Sequence, residues 1–155
     1  MNPQTGDKLL QHEIVSEARS WIGTPYVHQA SAKGAGCDCL GLVAGVWRAI
    51  GGIVDLPMPA YTPDWGEIDR FEHVLTGAAE RLTQIPANES GPGDLVVFRW
   101  RRGMIAKHMG ILSDNNRFIH AWERSGVVEA VLVPQWRSRI AGWFRFPEIP
   151  FNTHN

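Results

Sequence analysis

The chain has 155 residues, 44% of them hydrophobic, and a formal net charge of -1. That length fits one domain, residues 1–155, and that composition supplies a packed core, which excludes a disordered tail or linker. A balanced charge gives no overall pull toward nucleic acid, which is therefore not expected as a partner.

No stretch approaches the roughly 18 consecutive apolar residues of a membrane span. The start of the chain, Met1 to Lys8, lacks the apolar core of a signal peptide. The expectation is a soluble chain made in the cytoplasm, without a membrane span. Two cysteines, Cys37 and Cys39, are too close for an unstrained mutual disulfide and too few for a disulfide-stapled scaffold. At least one free thiol is expected.

From Glu13 to Ile22 the apolar residues Ile14, Val15, Ala18, Trp21 and Ile22 recur at helical spacing, and Gly23 with Pro25 ends the pattern. Thr24 to Gly36 lacks periodicity and reads as a loop feeding a second helix. Asp38 caps that helix, Leu42, Val43, Val46, Trp47 and Ile50 form its apolar stripe, and Gly51-Gly52 stops it. A proline-rich connector, Pro57 to Pro63, leads to a third helix. Asp64 and Glu67 resemble a capping box there, and Ile68, Phe71, Val74, Leu75 and Ala78 give the stripe.

Past the turn-rich stretch Asn88 to Gly93 the period changes to that of strands. The runs are Leu95–Trp100, His108–Leu112, Arg117–Trp122, Val127–Leu132 and Gly142–Phe146. Helices first and strands afterwards predict an α+β domain, with helices covering one face of a meandering antiparallel sheet of about five strands.

Cys39 falls at the start of the second helix, where unpaired backbone N–H groups and the helix dipole stabilise a thiolate. An isolated cysteine on an apolar helix is more often a small buried hydrophobe, so position alone does not decide its role. A thiolate nucleophile needs a base, and His108 and His120 lie on the two arms of one hairpin. With a three-residue loop, Asp114 to Asn116, Ser113 pairs with Arg117 and Gly110 with His120, and both imidazoles share one face. A two-residue Asn115-Asn116 turn puts them on opposite faces. In the first register Gly110 leaves room between the imidazoles and the helix, and a Cys39–His108–His120 row follows. In that row His108 takes the thiol proton and His120 fixes its tautomer. His12, His73 and His154 read as surface or structural histidines; His28 stays open.

Five ordered stretches carry a family resemblance: Gly23-Thr24-Pro25-Tyr26, Asp38-Cys39-Leu40-Gly41-Leu42, Gly93-Asp94-Leu95-Val96-Val97-Phe98, His108-Met109-Gly110-Ile111 and Ile119-His120-Ala121. Together they resemble the NlpC-type cell-wall cysteine peptidases, and in their order and spacing they are more specific than a lone Cys or His. The resemblance implies a papain-like α+β core, with Cys39 as nucleophile, His108 as base and His120 as the orienting residue. Tyr26 resembles the family's tyrosine near the oxyanion site. Tyr26 and Asp38 are thus the candidates for the oxyanion and substrate side, beside the Cys39 backbone N–H. The implied substrate is the peptidoglycan stem peptide, cut between D-γ-glutamate and a diamino acid, with no cofactor or metal. Leu40 replaces the serine that the commoner motif carries after the nucleophile.

The compact form is similar to the peptidases of phage tail modules and gene transfer agents, which implies a tail-tip or hub protein as partner and action at the cell wall. Tryptophans such as Trp65, Trp100, Trp122, Trp136 and Trp143 are candidate anchors for such a partner, although most tryptophans are core residues. The basic run Arg99 to Arg102 reads as a solvated strand end. Two alternatives come from other classes: a structural zinc site built from Cys37, Cys39, His108 and His120, and a catalytically silent tail adaptor or plug. A third keeps the nucleophile but turns it to acyl transfer or amidase chemistry.

Overall fold

The computed structural model describes residues 3–52, 72–101 and 103–148, with side-chain burial from Leu10 onward. The first helix, α1 (Pro3–Ser20), starts ten residues before its expected onset. Leu10, Ile14 and Ala18 follow one another at i, i+4 spacing into the core, so the stripe extends further toward the N-terminus than Glu13. The loop after it contains two short strands, β1 (Ser31–Ala32) and β2 (Gly36–Cys37), paired antiparallel. Two-residue strands have no readable period, which is why the sequence shows only a loop there.

Helix α2 (Cys39–Ala49) begins and ends where its signals put it. The Asp38 carboxylate accepts the Gly41 N–H, and at the other end Gly51 takes a left-handed conformation at φ 99. Gly51 N–H donates to Arg48 O at 3.1 Å and Gly52 N–H to Trp47 O at 2.8 Å, the paired bonds of a Schellman stop. Helix α3 (His73–Arg81) carries Val74, Leu75 and Ala78 against the core. The expected onset of that helix, from Asp64 through Phe71, lies outside the described residues, as do Trp65, Arg102 and His154.

The main sheet has six strands rather than about five: β3 (Thr83–Ile85), β4 (Leu95–Arg99), β5 (Ala106–Leu112), β6 (Arg117–Trp122), β7 (Gly126–Val131) and β8 (Ile140–Arg145). Its order is β3-β8-β4-β5-β6-β7, antiparallel throughout. Strands β4 to β7 form the expected meander, while β8 returns to the far side of β4 and brings β3 with it. β3 is three residues long with no alternation to read. Between β7 and β8 lies a short helix, α4 (Pro134–Arg137), with proline at its start.

Alternation along the strands makes two cores. Leu95, Val97, Met109, Ile111, Ile119 and Ala121 face α1 and α2 with Ile14, Trp21, Leu42 and Val46. Val96, Phe98, Leu112, Phe118 and Leu132 face the other way, packed by Trp136, Ile140 and Trp143. Each fully buried aromatic such as Phe98 or Phe118 contributes about 1.5–3 kcal/mol through the water it sheds.

Candidate active site

The register of the β5–β6 hairpin is the one that pairs Leu112 with Phe118 and Ile111 with Ile119, closed by Ser113 N–H donating to Arg117 O at 3.0 Å. His108 and His120 therefore share a face. Their rings meet: His108 Nε2 lies 2.8 Å from His120 Nδ1, and both residues are 2% exposed. Gly110 makes the meeting possible. A Cβ there would lie 2.9 Å from Ile119 O and from Phe118 Cδ2, and 3.1 Å from His120 Cβ.

That shared face is the second core, not the one under the helices, contrary to the expected room between the imidazoles and α2. His108 and His120 sit among Phe98, Phe118, Trp100, Trp122 and Trp136. Cys39 approaches from the helix side and meets the backbone of β5 beside His108, where the strand has two irregular features. The first is a bulge. Phe98 pairs with His108 but Arg99 pairs with Ala106, so Lys107 is the extra residue. The second is the end of a ladder. Pairing of β5 with β6 does not continue past Ile111–Ile119 toward His108. Backbone groups beside His108 are thereby left for the thiol: Cys39 Sγ donates to Lys107 O at 3.8 Å, and the Met109 N–H favours its thiolate. The sulfur thus lies against the backbone on either side of His108.

The loop before α2 is built around Asp38, which is 1% exposed. Its Oδ1 accepts the Gly41 N–H and its Oδ2 the Gln29 N–H, each at 2.8 Å, while His28 Nδ1 stands 3.9 Å from Oδ2. Gln29 holds a left-handed φ of 63 in this turn. A Cβ at Gly41 would collide with the Ala30 carbonyl, so a glycine two residues after Cys39 lets the loop close on the helix. Asp38 does structural work here with both oxygens engaged. Tyr26 is placed by a parallel bridge to Cys37, with Cys37 N–H donating to Pro25 O at 3.0 Å and Val27 N–H to Cys37 O at 3.1 Å. Cys37 itself is 0% exposed, and burial pushes its thiol up to about 11.

The electrostatics describe a neutral resting site. Cys39 keeps part of its surface open, yet protein crowds the sulfur, and burial followed by the Asp38 charge pushes its thiol up to about 12. The Met109, Leu40 and Cys39 backbone N–H groups pull the other way. Burial holds His120 down to about 4, and burial with the neighbouring His120 holds His108 well below the usual imidazole range. Tyr26 is pushed up to about 12, by burial first and then by Cys39, so its hydroxyl keeps its proton at neutral pH. Burial raises the Asp38 carboxyl from its ordinary value despite its two N–H donors.

Among the described residues no group of three or more His, Cys, Asp or Glu is arranged to hold a metal ion. Nor is any described helix long and apolar enough to cross a membrane. Arg99 of the basic run is paired with Glu72 Oε1 at 2.5 Å and donates to Met104 O at 2.7 Å, whereas Arg101 is exposed. The residues that sequence reasoning missed are the Lys107 bulge and the gathering of Trp100, Trp122 and Trp136 on the histidines. The one readable signal was Pro134, which announces a helix start two residues before Trp136.

A family model described as the NlpC/P60 family matches residues 23–145. The chain is 34% identical over 116 residues to the probable endopeptidase NlpC of Escherichia coli (strain K12), covering 75% of this chain and 64% of that protein. It is 32% identical over 143 residues to the gamma-DL-glutamyl hydrolase of Bacillus subtilis (strain 168), covering 92% of this chain and 31% of that one. Less than two thirds of either relative is thus spanned. The fold matches that of a lipoprotein-like NLP/P60 family protein from Staphylococcus aureus subsp. aureus Mu50 with a TM-score of 0.63 and 26% identity, over 96% of this chain and 43% of that one. With a matching family model across most of its length, the chain belongs to the NlpC/P60 family.

Proposed function

We propose that the protein is a cysteine endopeptidase that hydrolyses amide bonds in peptidoglycan stem peptides, at the bond between D-γ-glutamate and the diamino acid. The observation that carries this reading is the placement of the Cys39 sulfur at the start of α2, against the backbone flanking His108, whose Nε2 is held by His120. The γ-DL-glutamyl activity named for the Bacillus subtilis relative supports the choice of bond.

In this mechanism the Nδ1 of His108 takes the thiol proton as the Cys39 sulfur attacks the scissile carbonyl carbon. The resulting oxyanion is met by the Cys39 backbone N–H and the protonated Tyr26 hydroxyl. The His108 imidazolium then protonates the leaving amine nitrogen, the C–N bond breaks, and a thioester remains on Cys39. Water then attacks the thioester carbon and gives one proton to His108, and the C–S bond breaks. His108 returns that proton to the sulfur, and the acid leaves as its carboxylate with its remaining proton passing to solvent. His120 keeps the reactive Nδ1 of His108 bare. Asp38 acts through the fold, capping α2 and tying the Gln29 turn to it; its placement inside the loop favours shaping the substrate side over touching the reacting atoms.

A finer reading, resting on the likeness of the motif set, is that a phage-like tail carries the enzyme to the wall through a tail-tip or hub protein. Recovery of the chain in purified tail particles tests that reading, and its absence from them removes it. For the reaction, purified stem peptides are incubated with wild type and Cys39→Ala in reducing, metal-free buffer and read by mass spectrometry. Cleavage by wild type alone is expected. Undiminished cleavage by Cys39→Ala overturns the assignment. Tyr26→Phe is expected to lose about 100-fold or more in kcat, within the range of about 100- to 1000-fold for one oxyanion donor.

A further inference from the structure

The residues around the imidazole pair form an almost wholly aromatic enclosure, and Trp136 is the member that touches every other part of it. Its ring lies 5.6 Å from that of His108 at 30°, and 5.3 Å from that of His120 at 81°. It also stands edge-on to Trp122 at 5.3 Å, to Phe98 at 5.1 Å and to Phe118 at 5.5 Å. Trp100 stacks on His108 at 5.0 Å and 21°. The flat faces of two indoles thus lie along His108, while one of them stands nearly perpendicular to His120.

The segment that carries Trp136 is fastened to the β5–β6 turn and to the end of β4. Arg137 Nη2 donates to Asn115 O at 3.1 Å and to Asn116 Oδ1 at 3.0 Å, in the turn that joins β5 to β6. Arg99 N–H, at the end of β4, donates to Arg139 O at 2.7 Å. A four-residue helix with no buried residue of its own has little reason to be held so firmly, apart from the indole it delivers.

We propose that Trp136 is a positioning residue for the His108–His120 pair: α4 lays its indole over the hydrogen bond between the rings, closing it to water and fixing both ring orientations. The proposal rests on the catalytic reading of that pair given above. The groups that face the pair from β4, β6 and α4 are Phe98, Trp100, Phe118, Trp122 and Trp136, none of them charged, while Arg99 and Arg137 are turned to the partners already named. The depressed titration of His120 agrees with such a cover. No contact with substrate is required of Trp136.

The test pairs a titration with a rate. Histidine ring protons are followed by NMR against pH in wild type, Trp136→Leu and Trp136→Phe, and kcat and KM are measured on the same stem peptide. Trp136→Leu is expected to move the His120 titration upward from about 4 toward the ordinary imidazole value and to lower kcat at least tenfold with KM little changed. Trp136→Phe, with a smaller ring, is expected to show a partial shift and a partial loss. Folded Trp136→Leu with unchanged titration and wild-type kcat overturns the proposal. If Trp136→Leu does not fold, unchanged titration in Trp136→Phe overturns it. If wild type cleaves nothing while the titration shifts, the enzyme reading fails and the positioning role stands.

Discussion

Gly110→Ala probes the point where backbone geometry and chemistry meet. Its methyl group would sit 2.9 Å from the Ile119 carbonyl oxygen, roughly half an ångström inside ordinary van der Waals contact. The obstacle is backbone, so relief requires β6 to move relative to β5. A shift of about 0.5 Å carried to His120 stretches its 2.8 Å bond to His108 Nε2 beyond the favourable hydrogen-bond range of about 2.7–3.2 Å. Overpacking of this kind costs about 1–3 kcal/mol, which lowers the thermal midpoint by about 2–4 °C per kcal/mol in a domain of this size. Misorientation of the base is expected to lower kcat/KM by about 10- to 100-fold in the folded variant. Chromatographic assay of γ-D-glutamyl peptide cleavage, run beside urea unfolding, separates the two effects. A folded Gly110→Ala protein that cleaves at the wild-type rate would falsify the account of why glycine stands there.

The pH dependence of stability follows from the same pair. His120 titrates near 4 in the folded chain and at its ordinary, higher value when unfolded, so between these values the unfolded chain binds more protons. Stability is fully present above the ordinary imidazole value and is lost as pH falls toward 4, at about 1.4 kcal/mol per pH unit for this histidine. Urea titrations of wild type and His120→Gln check this, and parallel pH slopes in the two would contradict it. Asp38→Ala removes the cap of α2 and orphans the Gln29 N–H, for an expected loss of about 2–4 kcal/mol, with Asp38→Asn closer to wild type. A loss under half a kcal/mol in denaturant unfolding counts against the cap. Arg145→Met leaves the 0% exposed Asp94 without the guanidinium that binds both its oxygens at 3.0 Å. A destabilisation of about 3 kcal/mol is expected, and Asp94→Asn added to it should recover part of the loss.

How much of this was legible depended on whether a feature is local. Asp38 as cap, Gly51-Gly52 as stop and the meander from Leu95 to Val131 are written in residues close along the chain, and the structure agrees with them. The hairpin register was narrowed to two choices by turn length alone, and the face shared by His108 and His120 followed from one of them. The face of the sheet was not legible. Period-2 alternation says that His108 and Met109 point opposite ways, but both sides of this sheet are apolar, so composition could not say which lies under α2. The contact of Cys39 with the backbone beside His108 goes with a bulge at Lys107 and a ladder that ends early, and neither leaves a mark at the residue level. The aromatic enclosure draws on residues 98, 100, 118, 122 and 136, brought together by the sheet order and a four-residue helix.

The hydrogen bond between the two imidazoles has a direction, and in the proposed mechanism that direction decides whether His108 can activate Cys39. Burial keeps both rings neutral at neutral pH, so one proton is shared across the 2.8 Å gap between His108 Nε2 and His120 Nδ1. If His120 Nδ1–H were the donor, His108 would carry its own proton on Nδ1 and have no lone pair to offer a thiol. With His108 Nε2–H as donor, Nδ1 is bare and His120 carries its proton on Nε2; only this tautomer serves a general base. Taking the thiol proton then creates an imidazolium inside an enclosure that disfavours charge at rest. The same rings supply an offset, because the stacked faces of Trp100 and Trp136 present π density to His108, about 0.5–2 kcal/mol for each favourable contact with a cation. Water exclusion keeps the resting pair neutral, and the indole faces together with the His120 acceptor stabilise the charge once the thiol has given up its proton. A resting thiol that is hard to ionise and a base that is hard to charge are therefore compatible with catalysis, provided the proton moves only when an amide carbonyl is in place to take the sulfur.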